Sequence, residues 1–172
     1  MEVTGFQLKE ALKMANLELE TWRMQFDGSL HAFPDEKKVT PQGVMDNVSD
    51  LERRVATLQT AQSYFNLNVE VQVGDETMVL EQAIKMVGGA GRSSSMWRKA
   101  AGAKRRRPSY YNDMDLTRKA DEERAVPTIT NEEALGLAKD AEKLASRLRG
   151  AIAVGNTMKM DIAFVEPEWF AA

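Results

Sequence analysis

Residues 44–65 read VMDNVSDLERRVATLQTAQSYF, and their apolar positions decide the fold class. Val44, Val48, Leu51, Val55, Leu58, Gln62 and Phe65 recur in alternating steps of four and three. That period lines one narrow face of an α-helix, the pattern of helices packed nearly antiparallel or of a short coiled coil. Residues 8–26 repeat it with Leu8, Leu12, Ala15, Leu19, Trp22 and Phe26. Two long helices with heptad seams are therefore predicted. Gln62 is a polar residue within a seam, a device that sets register or oligomer state when buried; near a helix end it equally fits an exposed position.

The helix boundaries follow from local chemistry. Thr4 with Gln7 three residues on fits a capping box, and Gly28 supplies a break after about Asp27. Thr40 caps the second helix and Pro41 takes its first position, where a missing N–H costs nothing. That helix is predicted to reach about Leu67. Residues 28–40 form a polar connector from which Leu30 and Phe33 are expected to fold back onto the helices.

Beyond Leu67 the period changes. Val69, Val71 and Val73 alternate with polar residues, Gly74-Asp75 marks a turn, and 76–79 reads as a return strand. Leu80, Ala83, Ile84 and Val87 predict a short helix stopped or kinked at Gly88-Gly89. Residues 88–125 read as an irregular insertion, first basic and then acidic, within which 93–103 is compatible with helix. Thr130 and Glu133 form a second capping box, and Ala134, Leu137, Ala141, Leu144 and Leu148 line a third long helix to about Gly155. Met158, Met160, Ile162 and Phe164 then alternate as a final strand, followed by Pro167 and an apolar tail of Trp169 and Phe170. The methionine stripe reads as core. The expected fold is mainly α in a single domain, with a small antiparallel sheet from 69–79 and 157–164.

Composition bounds the function. The 172 residues carry a formal charge of −3, 43% hydrophobic and 28% charged residues, as in an ordinary folded domain. There is no cysteine, so disulfides and thiolate chemistry are excluded. No apolar run approaches the roughly 20 residues of a spanning helix, and no secretory signal opens the chain. A cytoplasmic or virion-associated location is expected. The one histidine, His31, reads as a surface or half-packed residue. No nucleophile–base pair or metal-ligand spacing can be assembled, so neither an enzyme nor a resident cofactor is expected.

The segment 88–111, GGAGRSSSMWRKAAGAKRRRPSYY, is the local anomaly. It holds seven basic residues and no acid. Gly88, Gly89 and Gly91 would let backbone amides approach an anion, and Ser93, Ser94 and Ser95 add hydroxyl donors. Arg92, Arg98, Arg105, Arg106 and Arg107 supply charge, while Trp97, Tyr110 and Tyr111 offer stacking surfaces. Two readings follow. One is a site for a phosphate-bearing ligand, a nucleotide or nucleic acid. The other is a basic loop that neutralises acidic faces of a neighbouring subunit. Neither a Walker nor a Rossmann fingerprint is present.

Around LQTAQSYFNLNVEVQVGDETMVLEQAIKMVGG the chain resembles the septicolysin-like proteins of bacteria and phages. The matching positions are Asn66, Asn68, Val69, Val71, Met78, Leu80, Ala83 and Ile84, and the long helix before Asn156 also fits. The resemblance covers most of residues 45–165, without the Arg-rich segment 104–107 and the polar stretch after it, and implies a helix–strand–turn–helix junction; the family name implies a membrane-active cytolysin. The residues themselves point first to a non-enzymatic homo-oligomer, a dimer by default, with structural or interaction roles.

Overall fold

Three threonines start three of the helices. In the computed structural model, which describes residues 1–32, 36, 39–102 and 128–170, the Thr4 hydroxyl accepts from the Gln7 amide at 3.2 Å. The Gln7 side chain accepts from the Thr4 amide at 2.9 Å, which completes the capping box. Thr40 accepts from Gly43 at 3.1 Å ahead of Pro41. Thr130 and Glu133 repeat the reciprocal pattern at 3.1 and 2.9 Å. Each pair satisfies amides that have no partner inside the helix.

The elements run β1 (Glu2–Thr4), α1 (Gly5–Ser29), α2 (Pro41–Asn68), β2 (Glu70–Val73), β3 (Glu76–Val79), α3 (Leu80–Gly102), α4 (Asn131–Gly155), β4 (Lys159–Asp161) and a 3-10 turn, Pro167–Phe170. The fold is mainly α, as the periodicity requires. The chain divides into two compact units, Met1–Ile84 with Arg149–Ala172, and Lys85–Leu148.

In the first unit, α1 and α2 pack antiparallel along their seams. Gly5 lies beside Phe65 at one end, and Arg23 bonds Glu52 at 2.8 Å towards the other. Leu8, Ala15, Leu19, Val44, Val48, Leu51, Val55, Leu58 and Phe65 are buried. Leu12, Trp22 and Phe26 are only half-buried, because Ala11 shares the contact face with Leu8 and Ala15. Gln62 is half-buried and donates to Asn66 at 3.1 Å.

The strands do not form one sheet. β2 and β3 make a hairpin whose two-residue turn begins at Gly74, with φ of 65°, a backbone conformation that glycine adopts without strain. β4 pairs instead with β1, in the register Glu2↔Asp161, Val3↔Met160 and Thr4↔Lys159. The final strand is shorter than predicted, because residues 156–158 turn back on the end of α4 through Thr157 and Met158 amides bonded to Val154 and Gly155 carbonyls. Met158 and Phe164 are consequently exposed rather than core, while Ile162 is buried.

Three further expectations are corrected. Helix α3 does not stop or kink at Gly88-Gly89 and runs unbroken to Gly102, so residues 88–102 are not irregular. A helical glycine costs only about 1 kcal/mol against alanine, and burial of Ala90 and Ser94 on the same helix opposes that cost. On α4 the buried face is Ala134, Ala138, Ala145 and Leu148, with Leu137 and Leu144 exposed. The alanines permit closer backbone approach than leucines would. Leu30 is exposed rather than folded back, and Phe33 lies outside the described residues.

Candidate functional site

The basic segment can be followed as far as Gly102 in the structure. Gly89 and Gly91 sit inside α3, and a side-chain carbon added to either would meet nothing within 4 Å. Their amides are committed to the helical ladder instead of converging on an open point. Arg92 and Ser93 are exposed, and the Arg92 guanidinium lies over Gly88. Trp97 is half-buried. Arg92 and Arg98 are six residues apart, which places them about 120° apart around the helix. Arg105, Arg106, Arg107, Tyr110 and Tyr111 lie outside the described residues.

What α3 does bring together is Ser94 and Arg98, on Glu142 of α4. The Ser94 hydroxyl, on a residue only 5% exposed, donates to Glu142 Oε1 at 3.2 Å. Arg98 Nε donates to the same oxygen at 3.0 Å. The Arg98 hydrogen bond holds the Glu142 carboxyl below its ordinary pKa against the opposing effect of desolvation, with a lesser contribution from Ser94. Glu142 was not a sequence candidate. Its signal was the polar Ser94 within the four-and-three spacing of Val87, Ala90, Ser94, Trp97 and Ala101, which calls for a polar partner on the facing helix.

A second feature belongs to the first unit. Trp22, Leu51, Arg54, Phe164 and Trp169 line a groove of about 470 Å³, with Glu18 and Asp50 also on its wall. Arg54 Nη2 donates to the Trp169 carbonyl at 3.3 Å, and its guanidinium lies 5.8 Å from the centre of the Trp169 ring. Glu18 approaches the same guanidinium at 3.8 Å. Arg54 Nε is buried without a partner among the described residues. These contacts tie the C-terminal 3-10 turn to α2. The sequence showed Trp169 and Phe170 as an apolar tail and gave no hint of Arg54 as their anchor.

A third feature is an apolar stripe on the outside of α1. Phe6 is 50% exposed, Leu17 55% and Met24 71%. Their spacings of eleven and seven return to one helical face, about 180° from the buried seam. Among the described residues no helix is long and apolar enough to cross a membrane, and no three histidine or acidic side chains gather as a metal site would require. His31 is exposed just beyond α1.

Comparison with known protein families, characterised proteins and solved structures finds no match for this chain.

Proposed function

We propose that this protein is a non-enzymatic structural or interaction protein that works as a homo-oligomer, with a dimer as the default. The observation that carries this reading is the exposed stripe of Phe6, Leu17 and Met24 on α1. An isolated exposed apolar residue needs no explanation, but a stripe aligned from Phe6 to Met24 along one helix favours a covered face. The internal seam of α1 is already filled by α2, so the stripe is surplus to the packing among the described residues.

The phosphate-ligand reading draws less support. Arg98 is engaged by Glu142, and Gly89 and Gly91 lie within helical turns. Neutralisation of an acidic face, the competing reading of the basic segment, has an intramolecular counterpart in that same Arg98–Glu142 pair. The lytic activity implied by the septicolysin-like resemblance has no residue here that argues for it.

Light scattering on the purified chain, with the ratio of absorbance at 260 and 280 nm, tests the proposal. The expected result is a dimer mass that persists at high salt and a protein-like ratio. A monomer throughout the micromolar range refutes self-association. A co-purifying nucleotide, lost on replacing Arg92 and Arg105–Arg107 by alanine, would return the phosphate reading to first place.

A further inference from the structure

We infer that the outer face of α1 pairs with the same face of a second copy, antiparallel, about a two-fold axis beside Leu17. This rests on the self-association proposed above and adds the surface, the orientation and the register. The apolar stripe supplies the contact, and the charges beside it supply the direction. Lys9 and Lys13 lie on one side of the stripe in the N-terminal half of α1, with Glu10 on the other side, and Glu20 and Asp27 lie on the lysines' side in the C-terminal half. All five are exposed. A parallel pairing would set lysine against lysine and carboxylate against carboxylate. An antiparallel pairing reverses one helix and sets unlike charges together at both ends.

The register follows from the spacing. An axis between Asn16 and Leu17 puts Lys13 opposite Glu20 of the second copy and, by symmetry, Glu20 opposite its Lys13. It brings Lys9 within one turn of Asp27. The two Leu17 side chains then meet near the axis, and Met24 lies along the aliphatic stem of Lys9. Such a contact is isologous and closes at two copies. Lys13 also touches Glu10 on its own helix at 3.3 Å, an exposed pair that offers little resistance to exchange. Exposed charge pairs contribute modest affinity; their effect here is to reject the parallel arrangement. A lipid surface is a poorer occupant, since Glu20 and Asp27 would face its anionic headgroups.

The absence of cysteine makes the test clean. In the full chain, Leu17→Cys is expected to form a disulfide-linked dimer on mild oxidation, because residues beside the axis fall within disulfide reach. Met45→Cys, on the exposed side of α2, is not. Lys13→Glu and Glu20→Lys should each weaken the dimer about tenfold or more, since each change acts at both symmetry-related pairs. The double reversal Lys13→Glu/Glu20→Lys should restore it. Circular dichroism melting checks that these exposed changes leave the fold intact; if a charge variant unfolds, the Leu17→Cys cross-link alone decides. A dimer that neither cross-links at Leu17→Cys nor responds to the charge changes overturns this pairing and leaves self-association standing. A monomer overturns both. A monomer that co-sediments with vesicles of anionic lipid only while Leu17 is apolar overturns the pairing in favour of a membrane surface.

Discussion

Gly5 faces Asn156 so closely that a side-chain carbon on the glycine would sit 2.3 Å from Asn156 Oδ1 and 2.9 Å from the Phe65 ring. The neighbouring residue is joined to Asn156 through the backbone, where the Phe6 amide donates to the Asn156 carbonyl at 3.2 Å. The start of α1 and the end of α4 meet here at van der Waals contact. Gly155 repeats the relationship one residue earlier, with the same added carbon 2.6 Å from Val71 Cγ1. Gly5→Ala and Gly155→Ala are each expected to cost about 1–3 kcal/mol, because neither a buried ring nor a strand side chain has room to retreat. Urea denaturation midpoints measure this, and a change under a few tenths of a kcal/mol would show the contact to be looser than described.

Gly89 is the opposite case. It lies within α3 with open space where a side chain would go. Gly89→Ala should therefore stabilise the protein by roughly 0.5–1 kcal/mol through helix propensity. Ala90, one residue on and 7% exposed, should not tolerate growth; Ala90→Leu is expected to cost about 1–3 kcal/mol. Thermal melts of the two variants should move in opposite directions. Loss of stability in Gly89→Ala would mean that the glycine's backbone is approached by something beyond the described residues.

The seam gives a conventional core test. Leu58 is 0% exposed and Leu51 7%. Leu→Ala at either should cost about 2–5 kcal/mol, whereas Gln59→Ala, exposed and off the seam, should change stability by less than about 0.5 kcal/mol. Similar effects for both kinds of change would contradict the packing of α1 on α2.

The α4 capping box should confer a pH dependence. The Thr130 amide and hydroxyl both donate to Glu133, and these bonds hold its carboxyl below the ordinary value of 4.5. A carboxyl whose pKa is lowered by folding binds fewer protons in the folded state. Its contribution is therefore complete above pH 4.5 and is lost as pH falls through the lowered folded value. Glu133→Gln can still cap but cannot titrate. Its stability difference from the unmodified protein should be flat at neutral pH and shift only below that range, which a series of melts between pH 7 and pH 2 would follow.

How much of this could be read beforehand depends on the range of the interaction. The capping threonines Thr4, Thr40 and Thr130 were legible because each acts within three residues. The buried faces of α1 and α2 were legible because apolar spacing reports a neighbour without naming it. The β1–β4 pairing was not, since Glu2–Thr4 is too short to show alternation and its partner lies more than 150 residues away. The buried face of α4 was not legible, because leucines and alanines both recur at helical spacing and spacing alone does not say which of the two rows is covered. Of the candidate site, the basic composition was legible, but the commitment of Ser94 and Arg98 to Glu142 was not, because that acid lies across a non-local contact.

The late partner of β1 has a consequence for synthesis. Residues 2–4 leave the ribosome well ahead of the strand that pairs with them, which ends at Asp161. At roughly 5–20 residues per second, β1 waits on the order of ten seconds with its edge unpaired. The α1–α2 hairpin and the β2–β3 turn can form during that interval, since both are local. A chain interrupted before residue 159 would thus be helical and half-packed, with the β1 edge unpaired beside the outer stripe of α1, and that edge closes only when β4, beyond the end of α4, is free to pair.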